Sequence, residues 1–245
     1  VTPRLLPLGE SALTVEFAPA IDPEAQARVA QLDRALERAR AAGQLEGILD
    51  LVPTFRSLTL HFDPLLWPPE RLEALIQEHL AADPEASAEG GRRWRFPVLY
   101  GGTGGPDLES LAEAAGLSPE AVIERHAAQE VSVYMLGFQP GFAFMGDIDA
   151  ALQQPRRQDP RTRVPAGSLA VADRLTAIYP WESPGGWHLI GHCPVPLFDA
   201  ARARPSLLSP ADRVSFEPVS AARHAELSEA LAAGELSPDS FEGTA

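Results

Sequence analysis

From Gln139 to Val219 the chain never holds a helical period. Short apolar runs, "SLAVA", "LTAIY", "WHLIG", "PVPLF" and "RVSFEPV", recur between prolines and glycines. Each is too brief for a helix and is bounded by turn residues. That spacing predicts a β-barrel or sandwich. The first eighty residues read differently. Arg4 to Phe17 is strand material, with "ALTVEF" alternating. Asp22 to Gly43 predicts a helix: Asp22 can cap it, Pro23 suits its first position and Gly43 stops it. Val29, Leu32 and Leu36 share one face. "GILDLVP" and "SLTLHF" predict two strands joined by "PTFR". Pro68 to Ala82 predicts a second helix, apolar at Leu72, Leu75, Ile76 and Leu80.

The order β-α-β-β-α over residues 1–84 implies a small α+β domain with helices on one face of a sheet. Residues 85–93 lose the period, turn polar and carry a Gly-Gly pair, so they read as a linker. Residues 94–219 then form the mainly-β barrel domain, with a helical insertion at about 107–129, where Gly116 separates two helices and Ser118 caps the second. Residues 220–245 read as a C-terminal helix and a frayed tail.

Composition narrows the function. The formal charge is -14, which repels a polyanion and disfavours nucleic acid. All twenty basic residues are arginine, and there is no lysine or asparagine. A lysine P-loop, a Schiff base and a biotinyl-lysine are therefore impossible on this chain. Anions must be held by guanidinium forks or backbone N–H groups. No apolar stretch approaches the ~18 residues of a membrane span. No basic-then-apolar leader pattern opens the sequence, so a cytoplasmic protein is expected. Cys193, the single cysteine, excludes an internal disulfide. Beside Pro194 it reads as a small buried hydrophobe rather than a nucleophile. His188 and His192 in "WHLIGHC" lack a third partner at ligand spacing, so no metal site is assigned.

Four stretches carry candidate chemistry. "GGTGGP" (101–106) between a strand and a helix is either a phosphate cradle or a flexible turn. "GFQPGFAFMGD" (137–147) mixes Phe138, Phe142 and Phe144 with glycines that permit close approach, so it lines a ligand or plugs a barrel end. "PRRQDPRTRVPAGS" (155–168) concentrates Arg156, Arg157, Arg161 and Arg163, a local anion site for carboxylate or phosphate. Arg161 and Arg163 stand out because they flank Thr162 in a proline-bounded loop. "ESPGGWHLIG" (182–191) places Trp187 after a turn, as a plug or as a binding wall.

The runs "YMLGFQPGFAFMGDID", "PRRQDPRTRVPAGSLAVA" and "IYPWESPGGWHLIGHCPVPLFD" together resemble one family. It goes by three names: the 5-oxoprolinase B-subunit, allophanate hydrolase subunit 1 and Kip inhibitor family. "VPTFRSLTLHFDP", "YGGTGGPDLESLA" and "ADRVSFEPV" extend the resemblance over nearly the whole chain. It departs at Ala143-Phe144, where the family has a Pro-aromatic pair, and at Ala172-Asp173, where it has more glycine.

The resemblance implies an α+β domain followed by a cyclophilin-like β-barrel. It implies a subunit of an ATP-using complex that converts 5-oxo-L-proline to L-glutamate with a sister barrel subunit and a third, lactam-opening subunit. It also carries two other activities: inhibition of a sensor histidine kinase, and a carboxyltransferase-like role in urea or allophanate metabolism. Mapped onto this sequence, Arg161 and Arg163 would hold a carboxylate or phosphate. Gly167, Ser168, Gly185 and Gly186 would offer backbone N–H groups or room. Tyr134, Phe138, Tyr179 and Trp187 would form walls of a pocket or a partner face. No catalytic base is assigned.

Overall fold

The computed structural model describes residues 2–81 and 91–243. The chain forms two compact units, Val1–Gly90 and Gly91–Ala245. Most of the expected linker, residues 85–90, lies outside the described residues. Its last residue, Arg93, already belongs to a strand.

In the first unit, Arg4–Pro7 (β1) and Ala12–Glu16 (β2) form a hairpin, followed by helix Pro23–Ala41 (α1), strands Ile48–Pro53 (β3) and Ser57–Phe62 (β4), and helix Pro69–Ala81 (α2). The sheet order is β1-β2-β4-β3. The single strand expected over Arg4–Phe17 is thus corrected to two, and the order becomes β-β-α-β-β-α. Gly9, at φ 69° in the intervening turn, makes the reversal that a continuous strand reading overlooks. The Asp22 carboxylate accepts from the backbone N–H groups of Glu24 and Ala25 and caps α1. Leu13 and Val15 of β2, Leu58, Leu60 and Phe62 of β4, Val29, Leu32 and Leu36 of α1, and Leu72 and Ile76 of α2 bury one core. The period-2 and period-3.6 stripes meet there.

The second unit begins with Arg93–Tyr100 (β5), then helices Leu108–Ala115 (α3) and Pro119–Ala127 (α4), then Glu130–Leu136 (β6) and Ala143–Gly146 (β7). Arg161–Val164 (β8), Ser168–Ala172 (β9), Leu175–Ile178 (β10), Ser183–Gly185 (β11), His188–His192 (β12), Arg213–Pro218 (β13), helix Ala221–Ala232 (α5) and Glu242–Gly243 (β14) follow. The ring β12-β9-β10-β7-β6-β13-β5 closes because β5 also pairs with β12, Tyr100 opposite Gly191. This is a seven-stranded barrel. Only β13 and β5 run parallel among its pairs. Closure leaves no exposed edge in the ring. β9 and β10 are buried at every position, which is why they read as unbroken apolar runs. Their two-residue turn puts Asp173 at φ 51°, a left-handed position that Asp tolerates.

Two expectations are corrected. "PVPLF" forms no strand, because Pro194 and Pro196 lack the N–H a ladder needs; only Phe198 bridges to Ser206. Val195 and Leu197 are buried all the same. The tail is not frayed through residue 243. A short 3₁₀ turn at Pro238–Phe241 leads into β14, where Glu242 pairs with Trp94.

Candidate functional site

An aromatic cleft opens on the barrel unit where three of the four singled-out stretches meet. Phe138 and Phe142 come from the β6–β7 connection, Phe144 from β7, Tyr179 from just after β10, Pro184 and Gly185 from β11, and Gly186 and Trp187 from the β11–β12 turn. Arg156 completes the lining, and the cavity holds about 130 Å³. Phe142 sits at the centre. It meets Tyr179 at 5.2 Å, Trp187 at 6.0 Å and Phe138 at 5.3 Å, all edge to face. These are favourable ring geometries. Trp187 is 4% exposed, so it both plugs the barrel and walls the cleft. Phe138 differs: the residue is 65% exposed and its backbone is left-handed, φ 69°. A bulky residue adopts that conformation only when its surroundings impose it.

The four arginines divide into three environments. Arg161 and Arg157 turn inward to Asp107. Arg161 Nη1 and Nη2 donate to the two Asp107 carboxylate oxygens at 2.8 and 2.7 Å, and Arg157 Nη1 donates at 3.0 Å. The Leu189 N–H donates to the same carboxylate at 2.8 Å. Asp107 is 4% exposed. Burial alone would push its pKa up, but the hydrogen bonds from Arg161 and Leu189 and the two nearby positive charges outweigh it, and the carboxyl lies below its ordinary range. Arg163 instead pairs with Glu182 on the β8–β11 ribbon, in the open. Arg161 and Arg163 therefore bind the chain's own carboxylates rather than jointly framing an anion site. Arg156 makes no hydrogen bond or ion pair among the described residues. Its guanidinium lies 5.9 Å from the Trp187 ring centre.

Other expected residues separate from the cleft. Gly167, at φ 80°, packs so tightly that a Cβ would lie 2.5 Å from His192 Nε2. Its N–H donates to the Tyr179 carbonyl and the Ser168 N–H to the Pro165 carbonyl, so neither is offered to a ligand. Tyr134 packs beside Gly146, and its hydroxyl bonds Asp147, away from the cleft. The "GGTGGP" stretch is a packed turn. Gly101 donates to the Ile190 carbonyl, Asp107 to Leu189 and Gly105 to Gly101, so these three N–H groups serve the turn itself.

Gly185 and Gly186 both line the cleft but are not equivalent. A Cβ on Gly185 would sit 2.3 Å from the Tyr179 hydroxyl, whereas on Gly186 it would make ordinary contact at 3.6 Å with Pro160. Gly185→Ala should therefore displace Tyr179 and destabilise the unit by about 1–3 kcal/mol, and Gly186→Ala by under about 0.5 kcal/mol. Equal urea midpoints for the two variants would refute the packing argument.

Cys193 is buried and its thiol is pushed up to about 12 by that burial, which removes it as a nucleophile near neutral pH. His192 Nε2 donates to the Ala166 carbonyl, so Nδ1 accepts from His224 Nε2 at 2.8 Å when both rings are neutral. No group of three potential metal ligands occurs among the described residues. Asp107 is the residue that sequence reasoning missed at the site, and Arg156, named there only as one of four arginines, is the one that lines the cleft. An aspartate before a helix reads as a cap, but the Asp107 side chain makes no cap bond to α3. A larger depression of about 520 Å³, lined by Arg92, Arg202, Arg204, Asp239 and Glu242, carried no sequence signal either.

The model of the carboxyltransferase domain, subdomain C and D, matches residues 3–208. The chain is 39% identical over 219 residues to the 5-oxoprolinase B-subunit of Escherichia coli O157:H7, covering 86% of this chain and 94% of that one. It is 36% identical over 223 residues to the Bacillus subtilis protein of the same name, covering 87% and 91%. The chain belongs to the 5-oxoprolinase B-subunit family. Among solved structures, the protein TTHA0988 superposes with a TM-score of 0.74 at 38% identity over 85% of this chain. This chain spans only 40% of TTHA0988. The urea amidolyase of K. lactis superposes at 0.71 with 18% identity, over 96% of this chain and 16% of that one, a likeness of fold.

Proposed function

We propose that the chain is one subunit of an ATP-dependent 5-oxoprolinase. With a sister barrel subunit and a third subunit it opens 5-oxo-L-proline to L-glutamate in the cytoplasm, and alone it is inactive. The barrel unit, read as cyclophilin-like, presents the cleft to substrate or sister subunit. The observation that carries this reading is the near-full-length match to proteins named as this subunit. The cleft is chemically consistent. It offers aromatic walls, a cation and a phenol, which bind and orient a small polar ring. A lactam carbonyl is a poor electrophile, and phosphorylating its oxygen is what ATP would supply. The nucleotide itself does not fit this cleft: about 130 Å³ is well under the ~300–1,000 Å³ of sites for drug-sized ligands. The cleft residues are therefore assigned no step through ATP.

Reconstitution tests the reading. The three subunits with ATP and 5-oxo-L-proline should release glutamate, and omission of this chain should abolish it. No glutamate from the full set refutes it. The match to a carboxyltransferase domain favours a second reading, transfer to a urea-type nitrogen. That reading requires a partner bearing biotin, since this chain has no lysine.

A further inference from the structure

We infer that the aromatic cleft is a binding site for a small, flat carboxylic acid, with Arg156 gripping the carboxylate and the Tyr179 hydroxyl bonding the far side of the ring. That the ring is a cyclic amide rests on the function proposed above; the carboxylate site rests on the geometry.

Arg156 is the first part of that geometry. In the loop that holds four arginines, Arg157 and Arg161 are tied to Asp107 and Arg163 to Glu182. Arg156 alone of these keeps its fork free of ion pairs among the described residues, and it lines the cleft. A guanidinium matches a carboxylate in a bidentate fashion. On a chain of net charge -14 an uncommitted arginine beside a cavity is a locally inverted potential.

Tyr179 is the second part. The residue is 2% exposed and lines the same cleft, yet its hydroxyl makes no hydrogen bond among the described residues. Its oxygen lies against the Gly185 backbone, where only the absence of a side chain leaves room. The hydroxyl oxygen keeps some exposure to the cleft and is free to bond an occupant.

Size and shape narrow the occupant. At about 130 Å³ the cleft is well under the ~300–1,000 Å³ of drug-sized sites and suits one five- or six-membered ring rather than a nucleotide. Its walls are ring faces and edges, so a planar ligand is favoured. Phe138 stands at the mouth, exposed and in a left-handed backbone conformation, and strain of that kind is retained where surrounding structure holds a residue for use.

The test uses the full chain and two probes, 5-oxo-L-proline and its neutral primary carboxamide. Calorimetric titration should show the acid binding at least tenfold more tightly than the carboxamide. Arg156→Gln should abolish that preference while leaving carboxamide binding within about twofold. Tyr179→Phe should weaken both probes alike. Loss of both probes in Arg156→Gln would mean a structural role and overturn the assignment, as would unchanged acid binding or no binding of either probe to the wild type. In the reconstituted complex, Arg156→Gln should raise KM for 5-oxo-L-proline at least tenfold with kcat changed less. If that complex makes glutamate but KM is unmoved, the site falls and the proposed function stands. If it makes none but the chain still prefers the acid through Arg156, the function falls and the site stands.

Discussion

Asp107→Ala should destabilise the barrel unit by about 3 kcal/mol, the largest effect expected of any single substitution around the cleft. The carboxylate receives four hydrogen bonds, two from Arg161, one from Arg157 and one from the Leu189 N–H. Removing it leaves two cations and a buried N–H facing each other without their anion. Breaking a buried pair by deleting one partner costs about 3–5 kcal/mol. The lower figure applies because the Arg157 and Arg161 side chains keep 31% and 25% of their exposure and can recover some hydration. For a unit of this size, 3 kcal/mol is about 6–12 °C in Tm. Asp107→Asn keeps the shape and one acceptor, so it should fall between. Thermal unfolding of the three proteins checks the order, and a loss below about 1 kcal/mol for Asp107→Ala would refute the latch. Because Asp107 ties the start of α3 to both the arginine loop and β12, the same variant should also loosen Arg156. Carboxylate binding would weaken in parallel.

The sequence disclosed the barrel through punctuation and the cleft through composition. Runs such as "SLAVA" and "LTAIY" are short because each strand ends at a turn, and continuous because β9 and β10 are buried throughout. "GFQPGFAF" and "SPGGW" read equally as ligand walls or as barrel plugs, because glycine beside aromatics permits close approach of a ligand or of another strand. Which arginine is free was not legible. It depends on where Asp107 points, and a residue 54 positions away has no local signature in the arginine loop. Glycine roles were equally hidden. Gly185 and Gly186 are adjacent and identical in type, yet only one abuts the Tyr179 hydroxyl. The hairpin at Gly9 was missed for the opposite reason. Strand propensity on both sides of a short turn reads as one strand unless the turn residues are weighted.

Acidification should destabilise the barrel through His126, by about 2 kcal/mol between pH 7 and pH 5. His126 lies on α4, is 1% exposed and is held neutral between two hydroxyls. Thr176 Oγ1 donates to the Ala170 carbonyl, so it accepts from His126 Nε2 at 3.1 Å; Nδ1 then accepts from the Tyr100 hydroxyl at 2.8 Å. Phe216 covers the ring, centroids 4.7 Å apart. No acid faces the imidazole in these contacts, so burial alone drives its pKa down to about 3. The unfolded histidine titrates near 6.5. A pKa lowered on folding means the unfolded chain binds the proton first. Stability is therefore full above about pH 6.5 and is lost as pH falls from there towards 3, at up to ~1.4 kcal/mol per pH unit. Asp107 adds loss of the same sign at lower pH, and the His192–His224 pair, both lowered by burial, adds loss in the same window. Comparison with His126→Gln removes those shared contributions. The variant is less stable at pH 7 because the two hydroxyls lose a matched partner, but its urea midpoint should fall less between pH 7 and pH 5 than that of the wild type. Parallel losses in the two proteins would show that His126 does not set the acid limit of the barrel.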